Sequence, residues 1–263
     1  MNTETESKLQ RVALVTGGSR GIGYAVCKQL SDAGYAIVAA ARTEDELKAL
    51  EAEFQKQGRV IACHGLDISK ADAVAALFKA INEEFGRLDV VVNSAGISYV
   101  APVALANLER CNDVLQVNLM GAFMISKEAV RMMTRQRHGR IVLIGSISGT
   151  IGASYNAIYA ASKAGVAGLV KSLALEVAPL GITVNAVQPG TVHTELFEQT
   201  HGARAKIKGI TLDEQKAMLE QDNPQKRLVT VHDIAAAVSY LVSDGAASVN
   251  GHLLTVDGGR SIA

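Results

Sequence analysis

Surplus charge is the first thing this chain lacks. Its 26 Lys and Arg stand against 26 Asp and Glu, so the formal net charge at pH 7 is zero. A nucleic-acid partner usually imprints a basic face, and nothing in this balance calls for one. Cysteine is scarce as well. Cys27, Cys63 and Cys111 are odd in number, far apart and form no CxxC pair. That pattern fits reduced thiols in a reducing compartment, with Cys27 at a helix position suited to a small core residue. No apolar run reaches the roughly 18 residues of a membrane span. Residues 1–10 are polar and of mixed charge, without the apolar stretch of a secretory signal. The expected location is therefore the cytoplasm. The six histidines include no HxxxH or HExxH spacing, so no metal site is expected.

Proline is equally sparse. There are four, and Pro179, Pro189 and Pro224 fall in the last third. No Pro/Gly/Ser-rich linker, repeat or low-complexity tract divides the 263 residues, which reads as one domain spanning 1–263. Apolar residues make up 48% of the chain, and a chain this long can bury about three quarters of its surface around one core. Short apolar runs recur at Val12–Thr16, Ala36–Ala41, Val60–Gly65, Leu88–Asn93, Arg140–Gly145, Thr183–Gln188 and Leu253–Val256. Several are apolar at nearly every position, as in strands buried on both faces. Between them lie helix-forming stretches such as Glu44–Gln57 and Ala71–Phe85. Such alternation implies βαβ units and a parallel sheet. The expected fold is α/β: a single-domain, doubly wound Rossmann fold. Thr194–Pro224 interrupts the alternation. It is polar and helix-prone, and is expected to lie as a substrate lid over the carboxyl edge of the sheet, where such folds bind ligands.

The first run leads directly into Thr16-Gly17-Gly18-Ser19-Arg20-Gly21-Ile22-Gly23, and a helix pattern follows. A strand, a glycine turn and a helix N-terminus together make a phosphate site, because unpaired N–H groups and the positive dipole end face the ligand. Glycines let the backbone approach a pyrophosphate. The bland alternative is a tight turn with no ligand. The end of the second strand, where an NAD site usually carries an acid, reads Ala40-Ala41-Arg42. Arg20 and Arg42 near one ribose suit a 2′-phosphate, which favours NADP with NAD as the alternative. Arg42 alone also reads as a solvated residue opening a helix capped by Thr43.

Tyr159 and Lys163 are spaced i, i+4 and share a helix face. A phenol is protonated at pH 7, and an adjacent ammonium favours its phenolate. The pair is then suited to exchanging a proton with a carbonyl oxygen as a hydride is transferred. Such a pair is common by chance. Ser146 sharpens it, standing 13 residues earlier just past a strand. Asn93-Ser94-Ala95-Gly96 and Pro189-Gly190 also mark carboxyl strand ends.

Thr16–Gly23 (TGGSRGIG), Asp67, Asn93–Gly96 (NSAG), Asn118, Ser146, Tyr159–Lys163 and Pro189–Gly190 together resemble the short-chain dehydrogenase/reductase family. The resemblance is to its roughly 250-residue branch, as in 3-oxoacyl-acyl-carrier-protein reductase-like members, and covers Arg11 to Gly259. It implies a seven-stranded sheet in the order 3-2-1-4-5-6-7 and four catalytic residues. Tyr159 would be the acid/base. Lys163 would tune it and bind the nicotinamide ribose. Ser146 would orient the carbonyl. Asn118 would bend its helix and hold a proton-relaying water. The cofactor would be held by Gly17, Ser19, Arg20, Gly21, Ile22, Gly23, Arg42, Asp67, Ile68, Asn93, Ala95, Gly96, Pro189, Gly190, Thr191 and Thr194, together with Tyr159 and Lys163. By spacing alone Asp67 reads as part of a helix N-cap region, and Asn118 as a polar helix residue. Members are usually homotetramers that pack the helices after Asn107 and after Tyr159. The family often has two asparagines where this chain has Asn93-Ser94, which implies altered strand packing.

Three functions remain open on the sequence. One is an NADP-dependent ketoreductase, with a lean toward β-ketoacyl thioesters. The second is an NAD-dependent alcohol or 3-hydroxy acid dehydrogenase. The third is a dinucleotide-sensing protein without chemistry. His193 and the lid charges Glu195, Glu198, His201, Arg204, Lys206 and Lys208 are read as solvated groups, with contact to substrate as the alternative. Arg131–Arg140, with four arginines and His138, is read as a solvated helix end.

Overall fold

The computed structural model describes residues 10–263; the expected polar tail lies, apart from Gln10, outside them. Seven strands form one parallel sheet: β1 (Val12–Thr16), β2 (Ala36–Ala41), β3 (Ile61–Gly65), β4 (Val90–Asn93), β5 (Gly139–Ile144), β6 (Ile182–Pro189) and β7 (Leu253–Val256). Their order is β3-β2-β1-β4-β5-β6-β7. The chain thus starts mid-sheet, winds outward, and returns to wind the other way. The reversal falls between β1 and β4, whose carboxyl ends Thr16 and Asn93 are register partners. Ligands of such sheets bind at that reversal.

The apolar strands need cover on both faces. One face is covered by α3 (Ala71–Phe85), α5 (Gly121–Gln136) and α6 (Ala157–Val177), with Phe78, Ile125, Met133 and Val170 buried against Leu14, Val91 and Ile141. The other is covered by α1 (Gly21–Asp32), α2 (Glu44–Lys56) and α9 (Val231–Val242), with Leu30, Phe54 and Ile234 packed on Val15, Ile37 and Val92. Cys27 is fully buried there, as its helix position implied, and burial pushes its thiol pKa up.

Strand ends differ slightly from the apolar runs, for local reasons. Leu88 precedes β4 because Asp89 is spent on the sheet's entrance: its carboxylate accepts from Val12 N at 2.8 Å and pairs with Arg87 at 2.7 Å. Pro189 closes β6, a position where a missing N–H costs little.

Between β6 and α9 the chain makes an excursion through α7 (Glu195–Lys208) and α8 (Leu212–Asp222). Its two ends are held together: Val192 bridges Val229, and Val229 N donates to Thr191 O at 3.0 Å. Thr194 caps α7, and Thr211 with Glu214 forms a capping box on α8. α4 (Leu108–Leu115) runs into α5 through one π-helical turn, Gln116–Met120.

A segment from Ala157 to Leu180 is long and apolar enough to cross a membrane by length and composition alone. Lys163, Lys171 and Glu176 interrupt it, so it is not an unbroken apolar run. It is nonetheless the sheet-covering helix α6, with Val166, Val170 and Ala174 buried.

Candidate active site

The glycine turn is shaped by close approach. Gly17 has φ +64°, and a Cβ there would lie 2.9 Å from Ala95 N. A Cβ on Gly23 would lie 2.0 Å from the Gly17 carbonyl oxygen, so α1 can start only where it does with glycine at 23. Arg20 stands at the N-cap with extended backbone and offers no side-chain cap, and the first turn carries no acid. The positive end of α1 is therefore left for an external anion. These features fit a dinucleotide's pyrophosphate.

Around that turn runs a cavity of about 250 Å³. Of the residues expected to hold a cofactor, Gly17, Ser19, Arg20, Gly21, Ile22, Arg42, Asp67, Ile68, Ala95, Gly96 and Thr194 line it. A second cavity, of about 440 Å³, is lined by Ser146, Tyr159, Lys163, Pro189, Gly190 and Thr191. The two share Ile22, Ser94, Gly96, Thr194 and Leu196 and so form one continuous cleft.

Three expected residues line neither half. Gly23 packs against Gly17. Asn93 is buried at the end of β4, where its Oδ1 accepts from Thr16 Oγ1 at 2.5 Å; Thr16 in turn accepts from Ala95 N at 3.3 Å. Asn118 lies in the π turn. Its Oδ1 accepts from Ile97 N at 2.9 Å, and its Nδ2 donates to Ile97 O at 2.9 Å and to Ser162 Oγ at 3.1 Å. The side chain ties the loop after β4 to α6, close behind Gly96 and the Lys163 ammonium.

The chemistry-bearing residues converge at the ends of β5 and α6. Ser146 caps the short turn after β5 and accepts from Ser148 N at 3.1 Å. It stands beside the Tyr159 hydroxyl and favours the ionised form of that phenol. Lys163 is buried and donates to the Ile144 carbonyl at 2.8 Å, with its ammonium 5.7 Å from the centroid of the Tyr159 ring. The sequence argument had the ammonium lowering the phenol. Here burial dominates and raises the Tyr159 pKa, with Ser146 and Arg204 opposing. Burial also lowers Lys163 to about 8. The lysine donates to the strand carbonyl, and the groups that oppose burial at the phenol are Ser146 and Arg204 rather than Lys163.

The ribose end departs from the two-arginine expectation. Glu46, from α2, accepts from Ser19 Oγ at 2.6 Å and from Arg20 Nη1 at 3.0 Å. Glu195, at the start of α7, takes the same Arg20 nitrogen at 2.5 Å. Arg42 is exposed and makes no ion pair among the described residues. Thr43 precedes α2 without a side-chain cap. Asp67 accepts from Ser69 N at 3.0 Å and Ser69 Oγ at 2.7 Å, which holds its pKa down. Asp67 thus closes a turn ahead of α3, whose N-cap is Lys70, within the cofactor half of the cleft.

The excursion helices hold what sequence reading missed. His193 is exposed and pairs loosely with Glu198 at 3.9 Å. His201 is buried instead, and Arg204 faces the cleft with Gln215. Phe197, His201, Arg204, Ala205 and Lys208 follow i, i+4, i+7, i+8, i+11 spacing, a single helix face. That phase was present in the sequence.

A family model described as short chain dehydrogenase matches residues 11–205. The chain is 37% identical over 249 residues to 3-oxoacyl-(acyl-carrier-protein) reductase FabG of Escherichia coli, spanning 95% of this chain and 96% of that one. It is 34% identical over 254 residues to the uncharacterised oxidoreductase YxjF of Bacillus subtilis, at 95% and 98% coverage. Among solved structures, a single-residue variant of actinorhodin polyketide ketoreductase with NADPH superposes at TM-score 0.93, with 34% identity over 97% of this chain and 98% of that one. Levodione reductase superposes at 0.91, with 30% identity over 96% and 98%.

Proposed function

This chain belongs to the short-chain dehydrogenase/reductase family and is an oxidoreductase, and from that premise we propose that it is an NADPH-dependent ketoreductase acting through Ser146, Tyr159, Lys163 and Asn118. The carrying observation is the convergence of Ser146, Tyr159 and Lys163 on the wall of the larger half of a cleft whose other half is the glycine-turn cavity. When bound, the reduced nicotinamide supplies a hydride to the carbonyl carbon. The chain's own residues do the rest. Ser146 donates a hydrogen bond to the carbonyl oxygen. Tyr159 gives that oxygen its proton. A phenol held above its ordinary value near 10 is a donor throughout the neutral range, the form that reduction requires. Lys163 holds the ribose hydroxyls beside it, and Asn118 holds the loop that carries Gly96 against Lys163.

The glycine turn, with Gly17, Ser19, Gly21 and Ile22, receives the pyrophosphate; Asp67 and Ile68 receive the adenine. Pro189, Gly190, Thr191 and Thr194 border the nicotinamide. Unpaired Arg42 is the first binder of a 2′-phosphate. Arg20 joins it by releasing Glu46 and Glu195, a competition that lowers its share of the NADPH preference. The relatives' names give β-ketoacyl thioesters and polyketide ketones as first substrates to try. The chain works as a homotetramer in the cytoplasm, with α7 and α8 as its substrate lid.

Tyr159→Phe tests this directly. It should remove most ketone-dependent NADPH oxidation while leaving the NADPH dissociation constant nearly intact. A variant keeping more than about a tenth of wild-type kcat would overturn proton donation by Tyr159. The same assay with NADH should give the lower kcat/KM.

A further inference from the structure

Buried polar groups ordinarily find partners, and those that do not point to something that completes them. Nine buried side-chain nitrogen and oxygen atoms lack a hydrogen-bond partner among the described residues. Six of the nine belong to five residues that line the cavity above Tyr159: Ser98, Asn156, His201, Arg204 and Gln215. The clustering is specific to this cavity, since the other three atoms, on His64, Arg140 and Thr183, lie outside it.

Arg204 is the informative member. Its orphaned atoms are Nε and Nη2. These lie along one edge of the guanidinium, the edge whose two parallel N–H bonds match the two oxygens of a carboxylate. A guanidinium remains charged at any working pH, so two buried N–H groups of a half-buried cation go without a counterion. The surrounding charge does not supply one. Lys163, Lys208 and Arg260 also line the cavity, and its one lining acid, Asp222, stands 3.8 Å from Arg260. The same cavity also holds unpartnered acceptors, Gln215 Oε1 and Asn156 Oδ1. Burial lowers His201 to about 4, so its ring is neutral at pH 7 and adds no competing cation.

We propose that the substrate is an oxo acid: its carboxylate docks on the free Nε/Nη2 edge of Arg204 while its ketone meets Tyr159 and Ser146. Hydroxyl groups on the same molecule would satisfy Gln215 and Asn156. A cavity of about 440 Å³ suits a small ligand of this kind. The proposal rests on the ketoreductase reading and narrows it, since a β-ketoacyl thioester has no free carboxylate at that position.

The test uses the full chain and matched pairs: 3-oxo and 4-oxo acids, their methyl esters, and the N-acetylcysteamine thioester of the 3-oxo acid. Turnover is followed by NADPH absorbance. Binding is followed separately by calorimetry on the NADP⁺ complex, which has no hydride to deliver. Wild type should prefer acid over ester by at least about tenfold, in kcat/KM and in affinity. Arg204→Gln should shrink that preference by about tenfold or more, and Arg204→Lys, which keeps the charge but loses the fork, should fall between. The proposal is overturned if wild type takes ester or thioester as readily as acid, or if Arg204→Gln weakens acid and ester alike. If no ketone is reduced yet acids bind through Arg204, the ketoreductase reading fails and the carboxylate site stands.

Discussion

Lys163 is the residue whose charge state the site leaves closest to neutrality. Burial brings it from an ordinary 10.5 to about 8, while Tyr159 is raised and keeps its proton well beyond that point. The two directions separate the titrations. Below pH 8 the ammonium and the phenol are both in the forms that reduction uses. As pH rises through about 8 the ammonium is lost first, and the phenol is still a donor. Because kcat/KM reports the groups of the free enzyme, its profile for NADPH-dependent reduction should fall above about pH 8. A profile flat to pH 9.5 would remove Lys163 from the titrating role. Tyr159 and Lys163 were readable as one helix face, because i, i+4 geometry survives any detail of packing, and Ser146 at a strand end set them apart from a chance pair. Their pKa directions were not: the sequence suggests an attractive ammonium but does not reveal how much water the fold removes. Arg204 fell between these cases. Its helical phase was written in the chain, but polar composition made the whole excursion read as a wet surface.

Single elements carry the next constraint, and the clearest is the start of α1. The helix begins where the Gly17 carbonyl leaves no room for a side chain at position 23. Gly23→Ala puts a methyl 2.0 Å from that oxygen, so strand, turn or helix must move. Overpacking of this kind costs about 1–3 kcal/mol, which at this size corresponds to roughly 2–10 °C in Tm. The turn that moves is the one receiving the pyrophosphate, so NADPH affinity should fall with it. Gly202→Ala is the matched control. Nothing lies within 4 Å of its Cβ, and alanine favours helix, so Tm should hold or rise slightly. Equal Tm and NADPH affinity for wild type and Gly23→Ala would show the turn to be slack. At this scale the sequence was most legible. Strands apolar on both faces and a glycine cluster at a strand–helix junction each have few structural solutions, which gave the doubly wound parallel sheet; its strand order came from the family resemblance. The π turn at Gln116–Met120 was reachable only through resemblance, because no local propensity distinguishes one extra residue within a helix.

Over the whole molecule, the surface left exposed carries a pattern. Leu108 at the start of α4 is 82% exposed and Leu175 on α6 is 80% exposed, with Phe123 of α5 at 47%. Large apolar side chains on three helices of one face of the sheet need cover that the chain itself does not supply. The same helices hold the site from behind: α4 and α5 flank the π turn of Asn118, and α6 presents Tyr159 and Lys163. A homotetramer that buries α4, α5 and α6 would therefore fix the frame of the catalytic groups as well as cover the leucines. Light scattering on the eluting protein should give about four times the 27.7 kDa chain mass. Leu108→Asp combined with Leu175→Asp should lower that mass, because a charge buried at a subunit interface without a partner is costly. Activity per chain should fall with it, while circular dichroism retains the α/β signature. A wild type that elutes at the monomer mass at micromolar concentration would refute the assembly, and would leave these leucines facing water for a reason other than subunit packing.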